Sequence, residues 1–464
     1  MSFFKKKTIE SVRENSKDSN FSKTLTAIDL ILFGLGAIIG TGVFALTGLV
    51  AAQYAGPAVT ISYAVAGLTC IFVALAYTEL AAMLPTAGSV YTYSYVGFGQ
   101  VFAWLMGGVL ILELCLGAAT VAAAWSAYAQ GILESAGIVL PAAISNVYAK
   151  GGLINVPAIL ITTIVGFILY RGTKDSKRVN AVLVLIKMAA VTAFILSALP
   201  HFDLKNWENF IPFGVDNVLI GSSILFFAFT GFGSLASLAE ECKNPKKDLM
   251  VGIIGSLTLS TGIYVLVGAL ATGIVPFYEL NNAQPLAKAL KLNGNNAGSI
   301  IVATGAVCGM TTVIMMNIYA QSRIFYVMAR DGLLPKFFAK IHSKNGNPHT
   351  TIVFFAAVTA VLSGFFPYEV LGKLSSMGAL LDYMVVSVIV MLFRVQYPTA
   401  HRAFKCPALF VVAPLSLAAC AYLLSKQIFD KDWSVLFTGK LLGFWILALL
   451  VLYIIRQPSI KKSA

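Results

Sequence analysis

Phe33-Gly34-Leu35-Gly36-Ala37-Ile38-Ile39-Gly40-Thr41-Gly42-Val43-Phe44 places four glycines and a threonine within nine residues, inside the first long apolar run of the chain. Each glycine costs a helix interior roughly 1 kcal/mol against alanine, so this stretch is poised to unwind. Lipid cannot satisfy the N–H and C=O groups that unwinding frees, so such a break is tolerated where it lines a cavity or lies buried in protein. The sixth apolar run repeats the device in Phe227-Ala228-Phe229-Thr230-Gly231-Phe232-Gly233-Ser234. Close helix packing through the Gly36 and Gly40 spacing is the plainer explanation of one such cluster. Two clusters at matching depths, five runs apart, point instead to discontinuous helices that meet near the membrane midplane in two inverted five-span repeats.

The rest of the chain fits that setting. Of its 464 residues 58% are hydrophobic and 11% charged, and the mean hydropathy is +0.82. A soluble domain is about 25% charged, so most of this surface faces something apolar. Apolar runs fall at about 27–51, 57–84, 98–133, 154–170, 179–199, 216–239, 249–274, 297–329, 350–366, 374–393, 408–425 and 437–455, which predicts twelve membrane-spanning helices. An even count puts both termini on one side. The segment 1–26 carries six basic residues and no apolar core, so it reads as a charged tail rather than a signal peptide. Of the 33 Lys and Arg residues, 24 fall on the side of the termini, eight face the other way, and Lys187 stands alone inside the fifth run. That asymmetry predicts both termini in the cytoplasm, with the chain in the plasma membrane, and it accounts for most of the net charge of +13. No basic cluster interleaves with aromatics on an extended loop, so nucleic acid is not an expected partner. The longest connections, near twenty residues, leave no room for a catalytic or nucleotide-binding domain. Gly372-Lys373 and Gly439-Lys440 are each followed by leucine, which removes the phosphate-loop reading. Neither an enzyme site, a metal site nor a cofactor is expected: the six cysteines lack zinc or disulfide spacing, and the four histidines fall in loops.

A few polar side chains interrupt the apolar runs. Lys187 lies about nine residues into its run, too deep to reach the interface easily. Burial there costs roughly 2.5–3.5 kcal/mol on insertion scales, so it needs a partner or a function. The readings are a fixed ammonium on helix-end carbonyls, or a charge that comes and goes as a proton is carried. Glu113 and Asp382 each admit two readings, a carboxylate facing a polar cavity or a protonated, packed side chain. Asn317 fits an interhelical hydrogen bond or a pocket wall. Glu79 and Glu240-Glu241 stand near span ends, where solvation is easier, and Tyr91-Thr92-Tyr93-Ser94-Tyr95 reads as an aromatic belt at the membrane interface.

At these residues the chain resembles the cationic amino acid transporter family of the amino acid-polyamine-organocation superfamily. The resemblance rests on GAIIGTGVF at 36–44, YTEL and LPTAGSVYTYSY within 77–95, LILE at 110–113, VNAVLVLIK at 179–187, AEECKNP at 239–245 and YAQSRIFYVMARDGLLP at 319–335. It implies an all-α, LeuT-like fold: a first five-helix repeat over 27–199, a second over 216–394, two further helices in 408–456 and a short cytoplasmic tail at 457–464. It implies that a substrate carboxylate meets the unwound first helix at Ile38, Ile39, Gly40, Thr41 and Gly42, with Thr41 and Gly42 as donors. The amino group would meet the broken sixth helix at Phe227, Ala228, Thr230 and Gly231, with Phe227 as a gate. Glu113 and Asn317 join the substrate-binding set, and Lys187 stands where sodium-coupled relatives hold a sodium ion, which suggests proton coupling. Two departures bear on selectivity: Gly233 and Ser234 stand where relatives commonly have an acid, and Asp382 stands where they are usually apolar. The expectation is proton-coupled import of L-amino acids by alternating access, with amino acid, protons and membrane lipids as partners. Sodium coupling, exchange and a non-transporting amino acid sensor are the alternatives.

Overall fold

The computed structural model describes residues 6–17, 23–282, 284–342, 346–402, 404–428 and 433–463. The rest of the expected tails, at 1–5, 18–22 and 464, and the outward lysine Lys431 lie outside the described residues. Among those residues the chain is helical, and its only β-contacts are the isolated bridges Leu25 to Cys242 and Val147 to Leu153. The helices are α1 (Ile9–Lys17), α2 (Ala27–Ile38), α3 (Val59–Met83), α4 (Ser89–Gly97), α5 (Gln100–Leu110), α6 (Gly117–Ser135), α7 (Val156–Arg171) and α8 (Thr173–Ala198). They continue with α9 (Val215–Leu225), α10 (Pro245–Ile274), α11 (Pro285–Leu292), α12 (Asn296–Arg330), α13 (His349–Phe365), α14 (Tyr368–Gln396), α15 (Leu409–Ile428) and α16 (Trp433–Ser463). Both stretches read as tails therefore contain helix: α1 buries Ile9 and Val12 against the bundle, and α16 runs to Ser463. His349, read as a loop residue, opens α13.

Among the described residues eight stretches are long and apolar enough to cross a membrane by length and composition; one of them, Ala27–Met83, spans 57 residues and turns at Gly56–Ala58. Val156–Arg171, His349–Phe365 and Leu409–Ser425 are shorter apolar helices. The bundle is turned inside out relative to a soluble domain. Leu185 and Phe444 are 63% and 70% exposed, whereas Lys187 and Arg323 are fully buried. α10 packs on α3 and α2, α8 on α12, α12 on α6, α13 on α7, α9 on α3, and α14 on α15 and on the α5–α6 junction.

Two helices break where the glycines stand. α2 opens with a capping box: Thr26 Oγ1 accepts from Asp29 N, and the Asp29 carboxylate accepts from Thr26 N at 2.9 Å. It ends at Ile38, Ile39 is extended, and helical conformation resumes at Thr41 through the wide turn Gly42–Leu46. After α9 the chain tightens over Phe226–Phe229, breaks at Thr230 and Gly231, and resumes over Phe232–Glu241. Gly231 has φ +108°, and a Cβ there would stand 2.9 Å from the Ala37 carbonyl oxygen, so this crossing requires glycine. A third irregularity, the wide turn Ile111–Leu116 between α5 and α6, carries Glu113.

The aromatic belt expected at 91–95 is not at an interface. Tyr91, Tyr93 and Tyr95 are buried in α4, which packs on α5 and α14. A local aromatic run cannot say whether its outer neighbour is a headgroup or another helix.

Candidate functional site

A small cavity lies where the two breaks meet, lined by Ile38, Thr41 and Gly42 from one and Phe227, Ala228 and Thr230 from the other. Asn317, also singled out by the sequence, lines it too, whereas Ile39, Gly40, Glu113 and Gly231 are not part of the lining. Ala37, Gly117, Val121 and Val313 also line it and were not anticipated. The open space is about 20 Å³, enough for one or two waters at about 10–15 Å³ each by this measure. The site is thus closed around its centre, and a larger ligand requires the walls to part.

Most of the carbonyls freed by the breaks are already engaged. Tyr264 Oη donates to Ile38 O at 2.8 Å and lies 3.1 Å from Ala228 O, which staples the two breaks together. Tyr63 Oη lies 3.0 Å from Gly42 O, Thr47 Oγ1 donates to Val43 O at 2.6 Å, and Tyr128 Oη donates to Phe44 O at 2.6 Å. Thr230 Oγ1 donates to Phe227 O at 2.8 Å. Thr230 N also donates to Phe227 O at 3.2 Å, which fills that carbonyl, whereas Ala228 O retains a lone pair for a further donor. Thr41 Oγ1 and Asn317 Oδ1, both buried in the cavity wall, have no hydrogen-bond partner. The first N–H groups of the helix resuming at Thr41 lack intrahelical acceptors by geometry, and their dipole favours an anion. N–H donors and unsatisfied oxygens thus share the cavity wall.

Lys187, on α8, reaches the carboxyl end of α2 beside this cavity. Its Nζ donates to Leu35 O at 2.6 Å, Ile39 O at 2.8 Å and Thr312 Oγ1 at 3.0 Å, with Gly36 O at 3.3 Å. These are the last carbonyls of a helix, where a cation also complements the macrodipole. Ile39 contributes this carbonyl rather than cavity surface. Ser234 Oγ donates to Gly231 O at 2.5 Å and so caps the second break. Glu113 and Asp382 lie outside the cavity lining and act on each other within the core.

Acidic groups expected near water at span ends are buried and paired. Glu241 binds Arg323 through Nε and accepts from Tyr319 Oη at 2.7 Å. Glu240 accepts from Ala87 N at 2.9 Å and lies 3.4 Å from Arg330. Glu79 accepts from Arg394 and from Cys406 N, with Arg402 Nε 3.0 Å away. The N-terminal segment joins the same face. Lys7 pairs with Asp331 at 2.5 Å, and Thr24 N and Leu25 N donate to Glu241 O at 3.0 Å. The partners lie far apart in the chain, so local reading could not supply them. The tyrosine staples left one faint signal: Tyr264 is a polar-tipped ring amid apolar neighbours, and a buried tyrosine hydroxyl usually finds a partner.

The apolar helices define a multi-pass membrane protein with a small cavity at the junction of two broken helices. The amino acid permease family profile matches residues 25–456, and the chain belongs to that family, within the amino acid-polyamine-organocation superfamily. It is 40% identical over 467 residues to the branched-chain amino acid permease BcaP of Bacillus subtilis, covering 99% of each chain. It is 38% identical to the methylthioribose transporter of the same organism, over 91% of this chain and 92% of the relative. The mouse cationic amino acid transporter 4 is 34% identical over 86% of this chain and 64% of its own length. The chain is therefore an amino acid permease, a transporter rather than an enzyme.

Proposed function

We propose that this permease is a secondary active importer of neutral L-amino acids, driven by protons and working by alternating access in the plasma membrane. Its twelve spans form inverted repeats over 27–199 and 216–394, with two further spans and both termini in the cytoplasm. Counting Ala27–Met83 as two crossings brings the eight long stretches and three shorter helices to twelve. The packing supports the repeat. If α2 corresponds to α9, α3 to α10, α6 to α12, α7 to α13 and α8 to α14, then three packed pairs, α3 with α10, α6 with α12 and α7 with α13, are helices against their own counterparts. The pairs α8 with α12 and α14 with α6 exchange under the same correspondence, as do α2 with α10 and α9 with α3.

The observation that carries the reading is Lys187, whose ammonium holds the end of α2 next to the cavity. An amine that gives up its proton has one donor fewer for Leu35, Ile39 and Thr312, which frees the half-helix to move. Coupling then follows from unequal affinity for the two end states. In the cavity the substrate carboxylate takes the N–H groups at Thr41 and Gly42, and its ammonium takes the Ala228 carbonyl and Thr41 Oγ1, with the Phe227 carbonyl available once Thr230 turns away. Val121, Val313 and Phe227 face the side chain, and Asn317 is the polar member of that wall. With Glu113 and Asp382 outside the lining, the wall holds no carboxylate for a cationic side chain, which supports a neutral substrate, as the name of the Bacillus branched-chain permease does.

Purified protein in liposomes should take up labelled leucine or alanine faster under an inward proton gradient. Acceleration by a sodium gradient alone overturns the proton assignment, and competition by arginine as effective as by leucine overturns the neutral one. The cavity also gives a steric prediction. A Cβ on Gly42 would stand 2.7 Å from Ala228 Cα, and overpacking of this kind costs about 1–3 kcal/mol. Gly42→Ala should weaken leucine binding about tenfold, which corresponds to about 1.4 kcal/mol, when read from the ligand-induced rise in melting temperature. Gly443→Ala, which meets open space, should leave it unchanged.

A further inference from the structure

Glu113 and Asp382 come from different helices and converge in the core. α14 lies directly on the Glu113 turn: Ser375 Oγ donates to Glu113 O at 2.7 Å, and a Cβ on Gly378 would stand 2.8 Å from Glu113 N. Both carboxyls are buried, and each acts electrostatically on the other. Glu113 Oε2 and both Asp382 oxygens have no hydrogen-bond partner. The titratable groups around them are Tyr383 from α14, Tyr77 and Cys70 from α3, Tyr93 from α4 and Cys420 from α15. None of these is a cation. The Tyr93 hydroxyl, fully buried and acting on Asp382, is itself without a partner. This differs from Glu79, Glu240 and Glu241, each of which has its arginine.

Asp382 lies four residues, one helical turn, beyond Gly378 on the face of α14 that abuts Glu113. Two ionised carboxylates so placed in an apolar core, without a counter-ion, are not sustainable, because each buried charge needs a partner. A single proton held between them removes one charge and supplies the missing donor. We propose that Glu113 and Asp382 form a proton-binding site, a carboxyl pair sharing one proton, distinct from the substrate cavity and from Lys187. Glu113 lies four residues before the cavity residue Gly117, one helical turn toward the face that carries the termini. Tyr77 Oη, beside the pair, lies 2.6 Å from Ser89 Oγ in the first turn of α4, which extends the polar line toward that face. The site is placed to exchange its proton there when the bundle opens.

The test uses infrared difference spectroscopy on the purified full-length chain, exchanged between water and heavy water at neutral pH. The wild type should show the carbonyl stretch of a protonated carboxyl. The band should shift in Glu113→Gln and in Asp382→Asn, where one uncompensated carboxyl remains, vanish in the double amide variant and persist in Asp382→Glu. A wild type without the band, or a band that survives unshifted in both single variants, overturns the proposal. So does a band erased by sodium chloride but not by choline chloride at fixed pH, which makes the pair a cation site. The wild-type spectrum decides even where a variant fails to fold, and it does not depend on whether transport is proton-driven.

Discussion

Lys187→Ala is expected to abolish gradient-driven uptake while leaving a folded protein. The substitution removes a donor shared by Leu35 O, Ile39 O and Thr312 Oγ1 at the carboxyl end of α2. Each buried acceptor left unmet costs about 1–3 kcal/mol. The end of α2 also loses the cation that complements its dipole. If only about 3 kcal/mol of this acts on the working arrangement of the half-helix, the rate falls roughly a hundredfold, at about 1.4 kcal/mol per factor of ten. Liposome uptake of labelled leucine measures this, with size-exclusion chromatography of the same preparation as the folding control. Lys187→Met, which keeps the bulk and removes the charge, should fail in the same way. Uptake within twofold of wild type that still follows the proton gradient would show the lysine to be filler.

Arg323→Ala is expected to give the largest loss of stability. Arg323 and Glu241 are both buried, and the guanidinium also lies 3.1 Å from the centre of the Tyr319 ring. Removing one partner of a buried pair strands the other charge, at a cost of about 3–5 kcal/mol. The melting temperature in detergent should drop accordingly, and Arg323→Met with Glu241→Gln should recover most of the loss, because neither charge then remains. Reporting on the same break is Cys242, buried directly after Glu241. In Arg323→Ala it should react with a maleimide that the wild type resists. A melting temperature unchanged from wild type would falsify the assignment of this pair as a structural closure.

The glycine clusters located both breaks because backbone propensity is local, and Gly231 and Gly42 are needed at the positions they occupy. Lys187 was legible for a similar reason, since a lone charge inside an apolar run is conspicuous. What completes the site was not legible. Tyr264, Tyr63 and Tyr128 are ordinary members of apolar runs, and their hydroxyls acquire meaning only when another helix brings a carbonyl within reach. Glu79, Glu240 and Glu241 pair with arginines between 82 and 315 positions away. Val121, Val313 and Gly117 carry no polar atom that could mark them as lining. Asp382 was visible as a departure, but its neighbour Glu113 is a tertiary fact.

Thr24 and Leu25 are hydrogen-bonded to Glu241, Lys243 returns a bond to Leu25 at 2.8 Å, and Lys7 holds Asp331. The amino-terminal segment thus grips the end of the second broken stretch at Glu241 and the end of α12 at Asp331, two elements that the proposed alternating access would move. For anyone handling the protein, an affinity tag or fluorescent fusion at the amino terminus is attached to a lever of the machine, whereas one at the carboxyl terminus follows α16. Kinetic constants from the two kinds of fusion are expected to differ, and the carboxyl-terminal fusion is the one to compare with the untagged chain.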